Sequence, residues 1–532
     1  MSVPAFTRSQ QMTLLACILG SSAAFLDGTI VNVALPSIRA SLHGGLGMQE
    51  WVVDAYLLTL GSLMLVGGSL GDLYGRRHVF AIGVSGFGIA SLVCAVAPDA
   101  AALIAARAVQ GVASAMLVPS TLALIIDTFD EHQRAAAIGA WTAWTGIATV
   151  AGPLLGGLLV QIGSWRWVFL INAPLVLVTL WLVRRVPTRE RSGGRVDWVG
   201  GVLGAAGLAG PIFALIEQPT YGWSDPRVFV TLIAGCLLLG VFAWWEQRTP
   251  EPMLPFAMFR ERNFSVGNLA TFCLYAALNV TTFFLVLFLQ QVAGYRPLKA
   301  GLALLPVSIL VFLLAKRFGG LADKFGPRLF MGLGAVVAGS GLLLMLRVAA
   351  HPNYVTEILP TAVLLGLGLA IAIAPLTAAI LGAAPSSRAG VASGINNAVA
   401  RVAGLVAIAV VGAGVAARFS SVVQDGLAVG HATPTYQAAV QRVAQATLEV
   451  HVPASVGAAR LPDAHRVLQN ASVSAFHLAI VAAAVLALLS GVLSLLGIRN
   501  TQPRTEGRVL APGDVSSRNG QSVHDTRKDV LT

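Results

Sequence analysis

The sequence predicts an all-α integral membrane protein of fourteen spans, arranged as two related six-span halves with two further spans between them. Two observations carry that prediction. Hydrophobic residues fill 56% of the 532 positions and charged ones only 11%, with a mean hydropathy of +0.76, and apolar runs of about 20 residues recur throughout. The stretch Gly68-Ser-Leu-Gly71-Asp72-Leu-Tyr-Gly75-Arg76-Arg77 returns in worn form as Gly319-Gly320-Leu-Ala-Asp323-Lys-Phe-Gly326-Pro-Arg328, an offset of 323 − 72 = 251 residues. Each copy lies between two long apolar segments, which is the mark of two homologous helical halves and the architecture of a secondary transporter.

The spans run roughly over 12–34, 51–71, 79–97, 101–126, 136–161, 167–186, 197–217, 228–245, 265–291, 299–320, 329–349, 358–381, 391–416 and 474–498. The first is too long for a signal-peptide core and is expected to be retained. The pair at about 197–245 separates six spans from six, and removing it shortens the 251-residue offset to roughly the length of six spans with short loops. The expected organisation is a cytoplasmic tail 1–11, a six-helix bundle 12–190, an inserted pair 191–250, a second bundle 251–500 with a long loop 417–473, and a disordered tail 501–532.

Arginine sets the orientation. Arg76, Arg77, Arg134, the run Arg184 to Arg195, Arg248, Arg260, Arg262, Lys316, Arg317, Lys324, Arg328 and Arg388 fall on alternate loops, so that side and both termini are expected to be cytoplasmic and loop 417–473 outside. The cell membrane of a bacterium is the expected location, since lysine occurs only at 299, 316, 324 and 528 and a GC-rich genome favours arginine. The net charge of +11 is spread over short loops rather than stacked on one face, which argues against nucleic acid. Cys17, Cys94, Cys236 and Cys273 fall inside apolar runs with no metal-ligand spacing, so no metal site is expected. No Gly-rich phosphate loop ending in Lys-Ser/Thr is present, so no cofactor is expected and energy must come from an ion gradient.

Few side chains at membrane depth can do chemistry. Asp27 lies midway along the first span, where an ionised carboxylate costs several kcal/mol, and such a group is suited to take up and release a proton. A packing hydrogen bond is the plainer alternative. Arg107 shares a helix face with Gln110, Gly111 and Ser114 and needs an acidic or carbonyl partner, of which Asp27 is the obvious one. An offset of 254 puts Thr361 opposite it in the second half, so the charge is not repeated. Asn32, five residues after Asp27, is expected to serve another surface. Asp54 and Glu217 read as solvated interfacial acids, and His477 as an interface residue.

In the fifth span Gly152 and Gly156 form a GxxxG face beside Pro153 and Gly157. In the ninth, Asn268, Thr271, Tyr275, Asn279 and Thr282 follow helical spacing; in the thirteenth Gly390, Gly394, Asn397, Arg401 and Gly404 do. Such stripes face protein or a water-filled cavity, and interhelical bonding competes evenly with substrate contact. The candidate cavity residues are Asn32, Gln110, Tyr275, Asn279, Asn397 and Arg401, at the midplane between the halves.

On these motifs the chain resembles the major facilitator superfamily, and within it the fourteen-span drug:proton antiporters, over roughly residues 12–500. The Asp72 stretch is similar to the superfamily's cytoplasmic loop between helices 2 and 3. Arg107, Gln110 and Gly111 match its helix-4 motif, and Gly152-Pro153-x-x-Gly156-Gly157 its helix-5 antiporter motif, with Ala148 at the usual leading glycine. Leu26-Asp27 through Pro36, and Trp165 through Asn172 and Pro174, resemble stretches of the fourteen-span group. The resemblance implies that Asp27 and Arg107 shape proton exchange. It implies also that the loop residues Gly68, Asp72, Gly75, Arg76, Arg77, Asp323, Gly326 and Arg328 clamp the halves on the cytoplasmic side, Arg76 and Arg77 pairing across the interface. The implied function is export of hydrophobic, often cationic, small molecules such as antibiotics, dyes or biocides by a monomer in the lipid bilayer, with no enzymatic reaction. Alternatives are a dedicated exporter of one natural product, or a membrane-embedded enzyme or receptor.

Overall fold

A computed structural model describes residues 6–186, 197–250, 252–384, 389–429 and 461–500. The expectations placed on Arg189, Arg191, Arg195, Arg388, Lys528 and the tail 501–532 lie outside these residues. The described elements are helical. The first group is α1 (Arg8–Leu42), α2 (Leu46–Tyr74), α3 (Arg76–Val96), α4 (Ala100–Thr128), α5 (Glu131–Ile162), α6 (Trp167–Leu170) and α7 (Asn172–Val183). Then come α8 (Trp198–Tyr221) and α9 (Pro226–Arg248), followed by α10 (Arg262–Gln291), α11 (Pro297–Ala303), α12 (Leu305–Phe325), α13 (Pro327–Leu344), α14 (Leu359–Ala383), α15 (Ala389–Val429) and α16 (Leu461–Gly497).

Local chemistry sets the ends. Thr7 accepts from the Gln10 amide while the Gln10 side chain accepts from Thr7, a reciprocal cap that starts α1, and His43 in the left-handed region stops it. Asp99 caps α4 through the amide of Ala102, and Asp197 caps α8 through Gly200. Pro226, Pro297 and Pro327 sit in the first turns of α9, α11 and α13, where a missing N–H costs nothing.

Twelve described helices are long and apolar enough to cross a membrane. Of the other two expected spans, the second is the 29-residue α2, and the sixth is the short apolar stretch Trp167–Val183, broken at Ile171 into α6 and α7. The tenth span is likewise broken at Leu304, between α11 and α12. The expected loop 417–473 is in part helix: α15 runs on to Val429 and α16 begins at Leu461, each well beyond the apolar run that marked its span, and residues 430–460 lie outside the described ones. Apolar length finds the bilayer-crossing part of a helix, not where its backbone bonding ends.

Glycines set how closely these helices approach, and they repeat. A methyl group on Gly83 of α3 would come within 3.0 Å of Leu117 and Ala113 of α4. One on Gly334 of α13 would meet Ala372 and Gly368 of α14 at 2.7 Å. Gly334 lies 334 − 83 = 251 positions after Gly83, whereas its partners lie 372 − 117 = 255 and 368 − 113 = 255 positions on. The register of the fourth helix is therefore one residue further along than an offset of 254 assumed. Ala362, not Thr361, is the counterpart of Arg107, and the position remains uncharged.

Helices α8 and α9 pack on each other, and α8 leans on both α2 and α15, so the pair lies beside the seam between α1–α7 and α10–α16. That seam is built from α2 on α15, α5 on α11 and α1 on α10. Gly61 of α2 meets Arg401 and Val402 of α15; Gly157 of α5 meets Pro297 and Leu298; Gly301 of α11 meets the carbonyl of Pro153. Among the described residues the hydrogen bonds across it are Arg39 Nη1 to Gln291 Oε1 at 2.9 Å, Gln290 Nε2 to the Val33 carbonyl at 2.9 Å and Gln291 Nε2 to Gln49 Oε1 at 3.4 Å. All three belong to the end of the bundle opposite the Asp72 loop.

Candidate functional site

Asp27 is fully buried, and it is paired. Its Oδ2 lies 2.5 Å from Arg107 Nη1, and its Oδ1 accepts from Gln110 Nε2 at 3.0 Å and Asn172 Nδ2 at 3.2 Å. Arg107, 1% exposed, also donates through Nη1 to Gln110 Oε1 at 2.6 Å and through Nε to the Val52 carbonyl at 3.0 Å, and its guanidinium stacks 4.3 Å from the Tyr56 ring centre. Ser91 accepts from Gln110 at 2.8 Å and from Asn172 at 3.2 Å, closing the network. Five helices, α1, α2, α3, α4 and α7, thus converge on one carboxylate.

This arrangement bears out the expected Asp27–Arg107 partnership and corrects one assignment beside it. Gln110 belongs to the ion-pair network rather than to a substrate cavity, because its polar contacts point at Asp27, Arg107, Ser91 and the Cys94 thiol. Asn32 stands apart from the network, as its helical angle required, with a buried Oδ1 that has no hydrogen-bond partner. Sequence reasoning missed Ser91 and Tyr56 and gave Asn172 no role. A serine or tyrosine in an apolar run carries no signal of its own; Asn172 did, as the amide of a short polar break between α6 and α7.

The fifth-helix glycines stand over this site. A methyl group on Gly152 would fall 2.0 Å from Thr29 Oγ1, and one on Gly156 would fall 2.8 Å from the Ile30 carbonyl, so α5 touches α1 within one turn of Asp27. Thr29 in turn donates to the Thr149 carbonyl at 3.2 Å. Gly157 and Pro153 face α11, so the same helix couples the Asp27 region to the other half.

Arg401 lies at the centre of the seam. Its guanidinium is 5.4 Å from the Phe25 ring centre, and its Cβ abuts Gly61. No acidic side chain pairs with it among the described residues. Asn279, one turn from Tyr275, bonds the Tyr275 carbonyl at 2.8 Å and packs on Gly404. Asn397 is exposed and bonds its own helix at Ser393. Its neighbour Asn396 makes the interhelical contacts instead, to Asn268 at 3.3 Å and Thr271 at 2.8 Å, so the lower part of the α10 stripe serves packing.

The repeated loops turn on glycine. Gly75 has φ of +95° and Gly326 +88°, values that a side chain disfavours, at equivalent points of the two copies. The loop arginines were expected to pair across the halves, and the bonds described for them run within their own half. Arg76 Nη1 bonds Asp127 Oδ1 at 2.6 Å and the Ala123 carbonyl at 3.2 Å, and Arg77 reaches the Arg184 carbonyl at 3.1 Å. These partners belong to the first half, within side-chain reach of α3. Arg328 likewise bonds the Leu495 carbonyl of its own half at 2.5 Å. Gly68 lies against Pro119. Asp54, expected at a solvated interface, is fully buried; Glu217 is half-buried and accepts from Trp51 Nε1 at 3.0 Å; His477 bonds the Val348 carbonyl at 2.9 Å.

The model of the Major Facilitator Superfamily matches residues 17–408 of this sequence. The chain belongs to the Major Facilitator Superfamily. Its relatives within the superfamily include the multidrug resistance protein Stp of Mycobacterium tuberculosis (strain CDC 1551 / Oshkosh), 36% identical over 79% of this chain and 78% of that protein. The tetracenomycin C resistance and export protein of Streptomyces glaucescens is 33% identical over 92% of both. The puromycin resistance protein pur8 of Streptomyces alboniger is 37% identical over 72% of this chain and 77% of that one. Among solved superfamily structures, an inward-facing bacterial homologue of the lysosomal transporter Spinster aligns with a TM-score of 0.62 at 17% identity, covering 94% of this chain and all of that one. An auto-inhibited POT family peptide transporter aligns at 0.64 and 15%, over 94% and 98%. At such identities the likeness is one of fold. As a superfamily member the protein is a multi-pass membrane transporter and not an enzyme.

Proposed function

We propose that the protein is a proton-coupled antiporter that exports hydrophobic small molecules, antibiotics among them, across the cytoplasmic membrane. The observation that carries this reading is the sealed Asp27–Arg107 pair. Asp27 is charge-balanced only while Arg107 holds it, and a proton competes with Arg107 for the same oxygen. Protonating Asp27 frees a buried guanidinium, whose stabilisation by the pair is on the order of 3–5 kcal/mol when one partner is removed. The five helices held on that carboxylate then lose their common anchor. In the proposed cycle protons enter from outside, protonate Asp27 and favour substrate release, and loss of the proton to the cytoplasm restores the pair. No cofactor takes part, and the membrane potential supplies about 2.3 kcal/mol per charge per 100 mV.

The twelve apolar helices together with α2 and the α6–α7 pair make the fourteen spans of the proposed drug:proton antiporter branch, with α8 and α9 as the inserted pair and one six-span bundle on either side. The chain works as a monomer in this reading, with both termini and the Asp72 and Asp323 loops cytoplasmic. The seam bonded by Arg39, Gln290 and Gln291 is then the outer one, closed in this conformation.

Arg401 narrows the substrate. A cation set over Phe25 in the seam favours neutral or anionic aromatic molecules and repels cationic ones. A second reading, a dedicated exporter of one natural product, draws on relatives named for tetracenomycin C, puromycin and methylenomycin A resistance. One experiment separates the two. A pump-deficient host expressing this chain is tested against a panel of neutral, anionic and cationic drugs, and purified protein in proteoliposomes is assayed for drug-driven proton movement. Protection against several unrelated aromatic drugs with coupled proton flux supports the antiporter. Protection against one compound class supports the dedicated exporter. Drug movement indifferent to a pH gradient and potential defeats proton coupling in either case.

A further inference from the structure

Two acids outside the Asp27 network are buried with carboxyl oxygens that have no hydrogen-bond partner. Glu50 is 2% exposed and Asp54 0%; Glu50 Oε1 and both carboxyl oxygens of Asp54 accept nothing. They lie one turn apart on α2, and Gly61 lies seven residues beyond Asp54, so the three share a face. That face is the seam. Gly61 meets Arg401 and Val402 of α15, and a methyl group on Gly412 of α15 would fall 1.8 Å from Glu50 Oε1. Residues 50 and 61 of one helix thus oppose 412 and 401 of the other, an antiparallel register that leaves Asp54 between them.

Among the described residues no cation balances the pair. The charged groups on the elements packed around α2 have other partners. Arg107 of α4 holds Asp27 of α1 and the Val52 carbonyl, Asp99 caps α4, and Arg39 of α1 bonds the Gly44 carbonyl and Gln291 of α10. On α15, Arg401 stacks on Phe25 at the level of Gly61, and Arg418 bonds Ser474. Glu217 on α8 adds a further negative charge on this side of α2 and is bonded to Trp51.

We propose that Glu50 and Asp54 form a second proton-binding site, and that proton uptake there closes the seam between α2 and α15. An ionised carboxylate buried with no donor costs several kcal/mol, and two of them one turn apart also repel each other. The closed seam therefore admits the pair as neutral acids. When α2 and α15 part, water reaches both groups and they ionise. Protons enter and leave from the same end of the bundle. The site sets the pH at which that end closes and adds nothing to the protons carried across. The proposal goes beyond the coupling assigned to Asp27, and drug transport is not its readout.

Hydrogen–deuterium exchange of the full chain in lipid nanodiscs tests it, with rates corrected for intrinsic base catalysis. In the wild-type protein, exchange in the 46–60 and 402–416 segments rises as pH goes from mildly acidic to mildly alkaline. In Glu50→Gln/Asp54→Asn, whose amides mimic the neutral acids, that rise is lost and both segments stay protected. Each single variant loses part of it, and Glu217→Gln keeps it. A wild-type seam insensitive to pH overturns the proposal. So does a double variant that keeps the full rise, or a rise abolished by Glu217→Gln instead. An antiporter that fails in the drug panel but shows this pattern leaves the proton site standing.

Discussion

At the scale of single residues, the buried ion pair dominates. Asp27→Asn leaves Arg107 with no counter-charge at a site 1% exposed, so the variant is expected to lose both coupling and stability, the latter by about 3–5 kcal/mol. Asp27→Asn combined with Arg107→Gln removes both charges and is expected to recover most of the stability and none of the coupling. Thermal melting measures the first effect and drug-driven acidification of proteoliposomes the second; normal proton exchange by Asp27→Asn would falsify the assignment. Arg401 is the second decisive residue. Arg401→Ala removes the cation beside Phe25 and is expected to extend protection towards cationic drugs. A uniform fall in resistance to every drug, with no change of preference, contradicts that role.

At the scale of elements, close helix contact depends on missing side chains. Gly152 and Gly156 let α5 sit on Thr29 and Ile30, next to Asp27 on α1. Gly152→Val is expected to force the two helices apart and abolish transport, with the folded protein still recovered from the membrane; retained transport argues against α5 controlling the site. Gly75 poses a different constraint. With φ of +95°, Gly75→Ala strains the α2–α3 turn by roughly 1–2 kcal/mol, and the expected effect is a similar slowing for every substrate. Initial transport rates for several drugs check this, and a changed order of drug preference would place the loop in substrate choice instead.

At the scale of the whole molecule, the described inter-half hydrogen bonds gather at one end, so alternating access requires that end to open. A cross-link within the α2–α15 seam is expected to hold that end shut and stop transport. Gly61 and Val402 approach closely enough for the purpose, since a Gly61 methyl would stand 3.5 Å from Val402 Cγ2. Oxidation of a Gly61→Cys/Val402→Cys variant is expected to abolish transport, and reductant to restore it. Transport that continues through complete cross-linking rules out opening of this seam. Helix α8 bears on both α2 and α15 beside that seam, which places the inserted pair where it braces the moving surfaces.

The sequence by itself determined the helical membrane class, the repeat and the partnership of Asp27 with Arg107. Apolar length and scarce intramembrane charge are one-dimensional properties, and a buried guanidinium has few acids to choose from. Gly75 and Gly326 were legible as repeated motif positions, and their positive φ emerged only with the backbone. Tertiary structure alone decided the rest. Helical spacing put Gln110 on the right face, yet only the meeting of five helices gave it Asp27 and Ser91 as partners in place of a cavity. The reach of Arg76 and Arg77 into their own half followed from where Asp127 and the α7 terminus fell. Asp54 illustrates the limit most clearly. Its place near a span end predicts a solvated acid, yet it is buried on the α2 face whose neighbours Glu50 and Gly61 meet α15, a helix more than 300 positions away whose approach no local pattern encodes.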